Sequence, residues 1–395
     1  MAVAVTNTTA IAVEEEVTEG TFVPPASAAS YVQTLSSGLE MKTSKELLER
    51  NVFTGTVGKV TPRTGTRSTN GSVPTELRAN SVEGSAPESD KLLKSGLGTK
   101  RTIATTTTTK ASGNTGSVLH IEDADISKFN VGDIIVVKEA GAYHCSPITA
   151  KATGAGVATI TLLVPKSAGS FSNSVVISKA TVYTVAESGH PSLSITKYVD
   201  SAVEQKAIGC RVNKIDMSEF ATGKIPSMNF GFDGLDFAKA INVPSFTPSY
   251  DSALPPIILD ARLYMDGVSV DVNELSLSIE NTVGFKTSIA SANGKISSRV
   301  VERKITGSFT PYQETDSVAN DTKFLNNTEF SLFAYAKNDS STAGQGQNFV
   351  AVYMPKCIIT EISDGDADGL VQQNISFQAS RGAAGTTNEI YLSFI

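Results

Sequence analysis

The chain has 395 residues, enough for roughly two or three domains, and its 40% hydrophobic content is that of a chain with packed cores, which excludes a disordered one. A formal net charge of −7 and a pI near 5.2 argue against a surface that holds nucleic acid by neutralising phosphates, though not against one that lets it pass without sticking. Three cysteines, none in a C-x-x-C pair, fit neither a disulfide framework nor a zinc cluster. No apolar run approaches the about 18 residues of a membrane span, and Met1 to Val13 lacks the basic start of a secretory signal, so synthesis in a reducing cytoplasm is expected.

Only 18% of residues are charged, and Ser, Thr, Gly and Val are abundant while helix-favouring runs are short; the expectation is a mainly β protein. Residues 1–25 are small, polar and acidic, with Glu14, Glu15 and Glu16 in a row, and read as an arm that stays flexible until something docks it. Thr43 with Glu46 has capping-box spacing before Leu47 and Leu48, predicting a helix of a turn or two. From Phe53 to Arg78 isolated apolar residues alternate with Gly and Thr around the turn-rich stretch Pro62 to Gly71, predicting two strands joined by a long hairpin loop. Ser89 to Ser95 opens with a capping residue and an acid and reads as a short helix.

Arg101 to Val185 has no counterpart later in the chain, where the loop Lys337 to Asn348 stands in the equivalent place. Beyond the run Thr105 to Thr109 it offers short strands at Val118 to Ile121, Ile134 to Val137, Ala158 to Val164 and Val175 to Ile177, separated by Gly and Asn turns. That is the pattern of a small barrel or sandwich inserted in a surface loop. With both ends in one loop, such an insertion is expected to be dispensable for assembly.

Lys206 to Asp233 can be laid without a gap on Tyr353 to Ser380, which places Cys210 on Cys357, Ile215 on Ile362, Met228 on Ile375 and Phe230 on Phe377. Each copy is an apolar run, a polar segment and a second alternating run, a hairpin written twice. A second long hairpin supports the duplication: Val268 to Ile279 alternates, Asn281 to Ser298 is polar, and Val300 to Phe309 returns as a strand, followed by a helical signal at Thr328 to Tyr335. Between the copies, residues 242–256 carry Pro244, Pro248, Pro255 and Pro256 and read as a linker. The expected organisation is an arm (1–25), a discontinuous first unit (26–100 and 186–241), an inserted β domain (101–185), the linker, and a second unit (257–395).

Catalytic chemistry finds no footing. The only histidines are His120, His144 and His190, with no metal-pair spacing, and His144 beside Cys145 on a strand points to the opposite face from it. Asp364-Gly365-Asp366-Ala367-Asp368-Gly369 matches the opening of a calcium loop, but the twelfth position is Ile375 instead of a bidentate Glu, so a solvated turn is the simpler reading. The chain has no Trp, the usual platform of a sugar-cleaving site. No catalytic, cofactor or metal residue is assigned, and no membrane contact is expected.

Thr54-Gly55-Thr56-Val57, Arg63-Thr64-Gly65-Thr66-Arg67-Ser68, Glu76-Leu77-Arg78, Ala86-Pro87-Glu88 and Leu92-Leu93 resemble the N-terminal part of tail tube proteins of long-tailed bacteriophages. Met265-Asp266-Gly267 through Pro311-Tyr312 to the final hairpin is similar to the same family, so the resemblance covers most of the chain outside the insertion, on diffuse motifs. It implies an antiparallel β-sandwich flanked by a short helix, with a long hairpin loop and arms that reach neighbouring subunits, six such units closing a ring. A duplicated chain then implies a homotrimer of pseudo-sixfold shape, with a homohexamer as the alternative. The implied role is the major subunit of a tail tube in the virion, made in the host bacterial cytoplasm, partnered by tape-measure, terminator and distal tail proteins, with genomic DNA passing the lumen unbound. A capsid decoration protein or host-surface adhesin is the competing reading, since Thr- and Ser-rich β domains also suit surface contact.

Overall fold

The structure, a computed structural model, describes residues 8–111, 113–154, 156–200, 202–259, 261–314, 317–338, 348–382 and 388–395. In chain order come β1 (Ala10–Glu15), β2 (Tyr31–Val32), β3 (Glu40–Leu48), β4 (Arg63–Glu76), helix α1 (Asp90–Leu97) and β5 (Gly98–Ile103). Next are β6 (Thr107–Thr108), β7 (Val118–Ile121), β8 (Ile134–Glu139), β9 (Ala142–Ala152), β10 (Ala158–Leu162) and β11 (Val176–Ile177). Then follow β12 (Ala180–Val185), β13 (Leu193–Val199), β14 (Val203–Ala221), β15 (Ser227–Gly234) and β16 (Asp236–Ile241). The second half holds β17 (Arg262–Met265), β18 (Val268–Val270), β19 (Val272–Thr287), β20 (Lys295–Pro311) and helix α2 (Ser317–Leu325). It ends with β21 (Phe330–Lys337), β22 (Phe349–Ala367), β23 (Leu370–Ala379) and β24 (Tyr391–Phe394). The fold is mainly β, every ladder antiparallel, as the composition predicts.

The first layer is an eight-stranded sheet in the order β3-β4-β15-β14-β19-β20-β23-β22. Its strands alternate: Met228, Phe230 and Phe232 of β15 and Leu275, Leu277 and Ile279 of β19 are buried, while Asn229, Ser276, Ser278 and Glu280 lie on the opposite, polar face. The long strands β14 and β22 run on from this sheet into a second layer. There 203–210 of β14 sits in the order β2-β1-β13-β14-β16, and 349–357 of β22 in the order β18-β17-β21-β22-β24-β12-β5. One apolar core, with Phe230, Phe309, Phe377, Leu332 and Ile195 fully buried, fills the space between the layers.

The two halves repeat each other ladder by ladder. Leu193 pairs with Cys210 and Phe330 with Cys357, each followed by a bulge, and further bulges precede Lys214 in β14 and Glu361 in β22. In each half a phenylalanine ring covers a glycine on the neighbouring strand, Phe232 on Gly71 and Phe377 on Gly307. The gapless alignment needs one correction. Ile215 faces Phe230 but Ile362 faces Ile375, so Phe230 corresponds to Ile375 and Phe232 to Phe377. The cause is the turn: residues 222–226 close the first hairpin, whereas Asp368 and Gly369 alone, both at positive φ, close the second.

Other expectations fail locally. Thr43 and Glu46 lie in strand β3, because hydrogen bonding along β4 outranks one turn's worth of capping signal. Pro62 to Gly71 is mostly strand, its Thr and Ser residues pairing with β3, and the loop is 49–62. In the second hairpin the strands run through most of Asn281 to Ser298, leaving 288–294 as the tip. Thr328 to Tyr335 is mainly β21, and the helix is Ser317–Leu325 upstream. Of the arm expected over 1–25, residues 1–7 lie outside the described residues, Ala10–Glu15 is a sheet strand, and its acids are paired: Glu14 with Lys91 at 2.7 Å and Glu15 with Lys94 at 2.5 Å.

Strands β6, β11, β8, β9, β10 and β7 form a separate six-stranded sheet. Its ends converge, since Ile103 of β5 lies opposite Ala180 of β12. It emerges between α1 and β13, and the connection at that place in the second half is 326–329. The loop Lys337 to Asn348 instead joins β21 to β22, and its residues 339–347 lie outside the described residues. The six-stranded sheet shares an apolar core with the outward side of the second outer sheet, through Phe333, Phe349, Tyr353 and Tyr391.

A Cβ on Gly307 would come within 2.5 Å of both the Phe377 ring and the Ser276 carbonyl oxygen. Gly307→Ala is therefore expected to lower stability to denaturant by about 1–3 kcal/mol. Gly58→Ala, whose Cβ would meet nothing within 4 Å, should leave the unfolding midpoint unchanged.

Candidate assembly interface

The two halves meet along β14 and β19, with Lys214 opposite Glu280, Ile215 opposite Ile279, Asp216 opposite Ser278 and Met217 opposite Leu277. Ile215 and Ile279 are fully buried at the inner face. On the polar face the Lys214 ammonium lies 3.3 Å from both Asp216 and Glu280, and the Ser278 hydroxyl donates to Asp216 at 2.6 Å. Burial alone would lower the Lys214 pKa, but the two carboxylates outweigh it and hold the ammonium above its ordinary value.

Further along, the Asn281 amide donates to the Gly96 and Val212 carbonyls at 2.8 and 3.2 Å, tying β19 to the end of α1. Glu19 accepts from the Ser298 hydroxyl at 2.6 Å and the Arg211 guanidinium at 3.0 Å, a largely buried cluster that locks β20 onto the first half.

The end strands of the eight-stranded sheet have one neighbour each among the described residues: β3 has β4, and the distal part of β22 has β23. Lys42, Ser44, Glu361 and Ser363 on these edges are exposed, whereas Lys214, Asp216 and Ser278 at the internal junction are half-buried. Beyond β3 the loop 49–62 projects Phe53 and Val57 fully into solvent.

The residues weighed for chemistry serve structure. His144 Nε2 faces the Val164 carbonyl at 2.9 Å with its ring on Phe171, while Cys145 is buried on the other side of β9. His190 sets its ring nitrogens against the Ser95 and Ala186 carbonyls, bracing the end of α1. The His120 ring lies against Gly113. The string Asp364 to Gly369 is the tip of the β22–β23 hairpin, where Asp366 accepts from the Gly369 amide at 3.2 Å. Among the described residues no three His, Cys, Asp or Glu side chains converge as a metal site would require. What single-residue reading missed is the pair of edges, whose signal is the alternation Glu40, Met41, Lys42, Thr43 with nothing to cover one side.

Residues 6–379 match the family model described as phage tail tube protein. The chain belongs to the phage tail tube protein family. A search of curated proteins finds no match. As a phage tail tube protein it is a structural component of the virion tail, not an enzyme, and it assembles with other tail proteins into a tube.

Cys210 and Cys357 occupy equivalent ladder positions, both fully buried and unpaired. Burial pushes both thiols well above their ordinary pKa. Labelling of the native tail tube protein at pH 8 is expected to be far slower than in denaturant, and rapid reaction at either position would contradict the packing.

Proposed function

We propose that three chains join head to tail through the edges of β3 and β22 into a closed ring of pseudo-sixfold shape. Rings stack into the tail tube, and the lumen conducts genomic DNA during ejection. The observation that carries this reading is the eight-stranded sheet itself. One chain holds two copies of a four-strand set joined edge to edge, and ends on the same two kinds of edge that the junction consumes.

Three chains supply about 24 strands, which at about 4.8 Å spacing and about 40° tilt enclose a backbone diameter near 48 Å. Side chains remove about 10 Å of that, leaving room for a hydrated duplex, whereas six such chains would double the diameter. The polar face of the sheet lines this lumen. Its Ser, Asn, Asp and Glu residues with scattered Lys present no basic tract, so phosphates slide instead of binding.

In this reading 257–395 is one tube unit and 26–103 with 180–241 the other, since β5 and β12 pair with the main fold; 242–256 is the linker, and 104–179, narrower than the expected 101–185, decorates the outer wall. The loop 49–62 reaches the neighbouring subunit or ring. Tape-measure, terminator and distal tail proteins meet the ring surfaces at the ends of the tube.

Negative-stain microscopy with native mass measurement tests the reading: stacked rings of three chains are expected. Six chains per ring, each with one tube fold, would overturn the trimer, and particles without rings would favour decoration or adhesion. Phe53→Asp with Val57→Asp is expected to cut tube length while the chain stays folded. Deleting residues 104–179 and closing Ile103 to Ala180 with a two-residue turn should leave rings that are thinner outside. The exposed Phe349, Tyr353 and Tyr391 should then raise binding of a hydrophobic dye, and loss of all folded protein would show that the insertion is part of the core.

A further inference from the structure

Resting on that ring, we infer that the contact between chains copies the internal β14–β19 ladder residue for residue. Strand β3 of one copy then pairs antiparallel with the distal part of β22 of the next, in a register fixed by the repeat. Gly71 lies opposite Met41 and Gly307 opposite Leu277, so Leu277, Ser278, Ile279 and Glu280 correspond to Met41, Lys42, Thr43 and Ser44. The matched bulges make Lys214, Ile215, Asp216 and Met217 correspond to Glu361, Ile362, Ser363 and Asp364. The transposed ladder therefore sets Ser44 opposite Glu361, Thr43 opposite Ile362, Lys42 opposite Ser363 and Met41 opposite Asp364.

The chemistry of this register is coherent, and its polarity is inverted. Inside the chain one cation, Lys214, serves two acids across and along the ladder. Between chains one acid, Glu361, has the hydroxyl of Ser44 directly opposite and the Lys42 ammonium on the diagonal, within reach of a long side chain. In the free chain Lys42 turns back on Glu40 of its own strand at 2.8 Å, an exposed pair that contributes little and is readily exchanged. From Glu361 to Asp368 the β22 hairpin carries four acids and no base, whereas β3 balances Lys42 and Lys45 against Glu40 and Glu46, so the attraction rests on Lys42 in this register rather than on strand charge.

Inversion also makes the junctions exclusive. Pairing β19 of one copy with β22 of another would set Glu280 directly opposite Glu361, so charge keeps β19 on β14 and leaves β22 to β3. The apolar share differs too. The fully buried pair Ile215 and Ile279 is replaced by Ile362 and Thr43, so this contact leans on charge and backbone hydrogen bonds and weakens with salt.

The test uses the full chain with Lys42→Cys and Ser363→Cys, the native thiols being buried. Oxidation of assembled rings followed by a non-reducing denaturing gel is expected to show covalent species of up to three chains. The pair Lys42→Cys with Glu361→Cys, diagonal at about 7–8 Å between Cα atoms, should cross-link poorly. Rings that form without the direct cross-link, or that cross-link better through the diagonal pair, would overturn the register while leaving the ring. Absence of rings from the unsubstituted chain would overturn the ring reading and the register with it. Independently, Glu361→Lys or Lys42→Glu should each lower ring yield about tenfold, and the double exchange should restore it. Equal loss in the double variant would count against the pairing.

Discussion

A strand with a neighbour on one side only presents a row of unpaired amide and carbonyl groups, and everything in this chain is arranged around where those rows fall. Eight strands in one layer bring the number of such rows to two, however many hairpins lie between. The first half cannot cover its own β14, so β19 does, and the second half repeats the arrangement with no third unit in the chain to complete it. The edges that remain are polar over Lys42 to Ser44 and, at β22, acidic, which suits exposed strands that stay soluble.

The long strands β14 and β22 hold this arrangement rigid. Each begins in the outer layer, bends at a bulge, and finishes in the eight-stranded sheet, so displacing one layer means breaking ladders in both. The Glu19, Arg211 and Ser298 cluster and the Asn281 amide add directional bonds where the halves meet. That junction is therefore specified by backbone, packing and charge together, which is why it can serve as a template.

Much of the architecture is legible in the sequence, and the failures have physical causes. Alternation identifies β15 and β19 because one face of each is apolar and the other solvated. The equivalence of Cys210 and Cys357 survives because the bulges beside them are kept, yet the alignment slips by two residues beyond the turn, since turn length is set by local φ preferences that leave no apolar trace. Thr43 with Glu46 resembles a helix start because capping is a local signal, while β3 forms through pairing with residues some 25 positions away. The uninterrupted apolar run Phe349 to Met354 marks a strand buried on both faces, here by the main core on one side and the six-stranded sheet on the other. The edge residues Lys42 and Glu361 could be matched only after the ladders fixed which positions correspond.

The six-stranded sheet shares its apolar core with the second half, through Phe333, Phe349, Tyr353 and Tyr391, and touches the first through the Lys138–Glu83 ion pair. In the proposed ring the wall would be a barrel of unequal staves, two sheets deep behind the first half and three sheets deep behind the second. There the lumen would keep a nearly even outline while the exterior carried three ridges, a relief that a ring of six identical single-unit chains would lack.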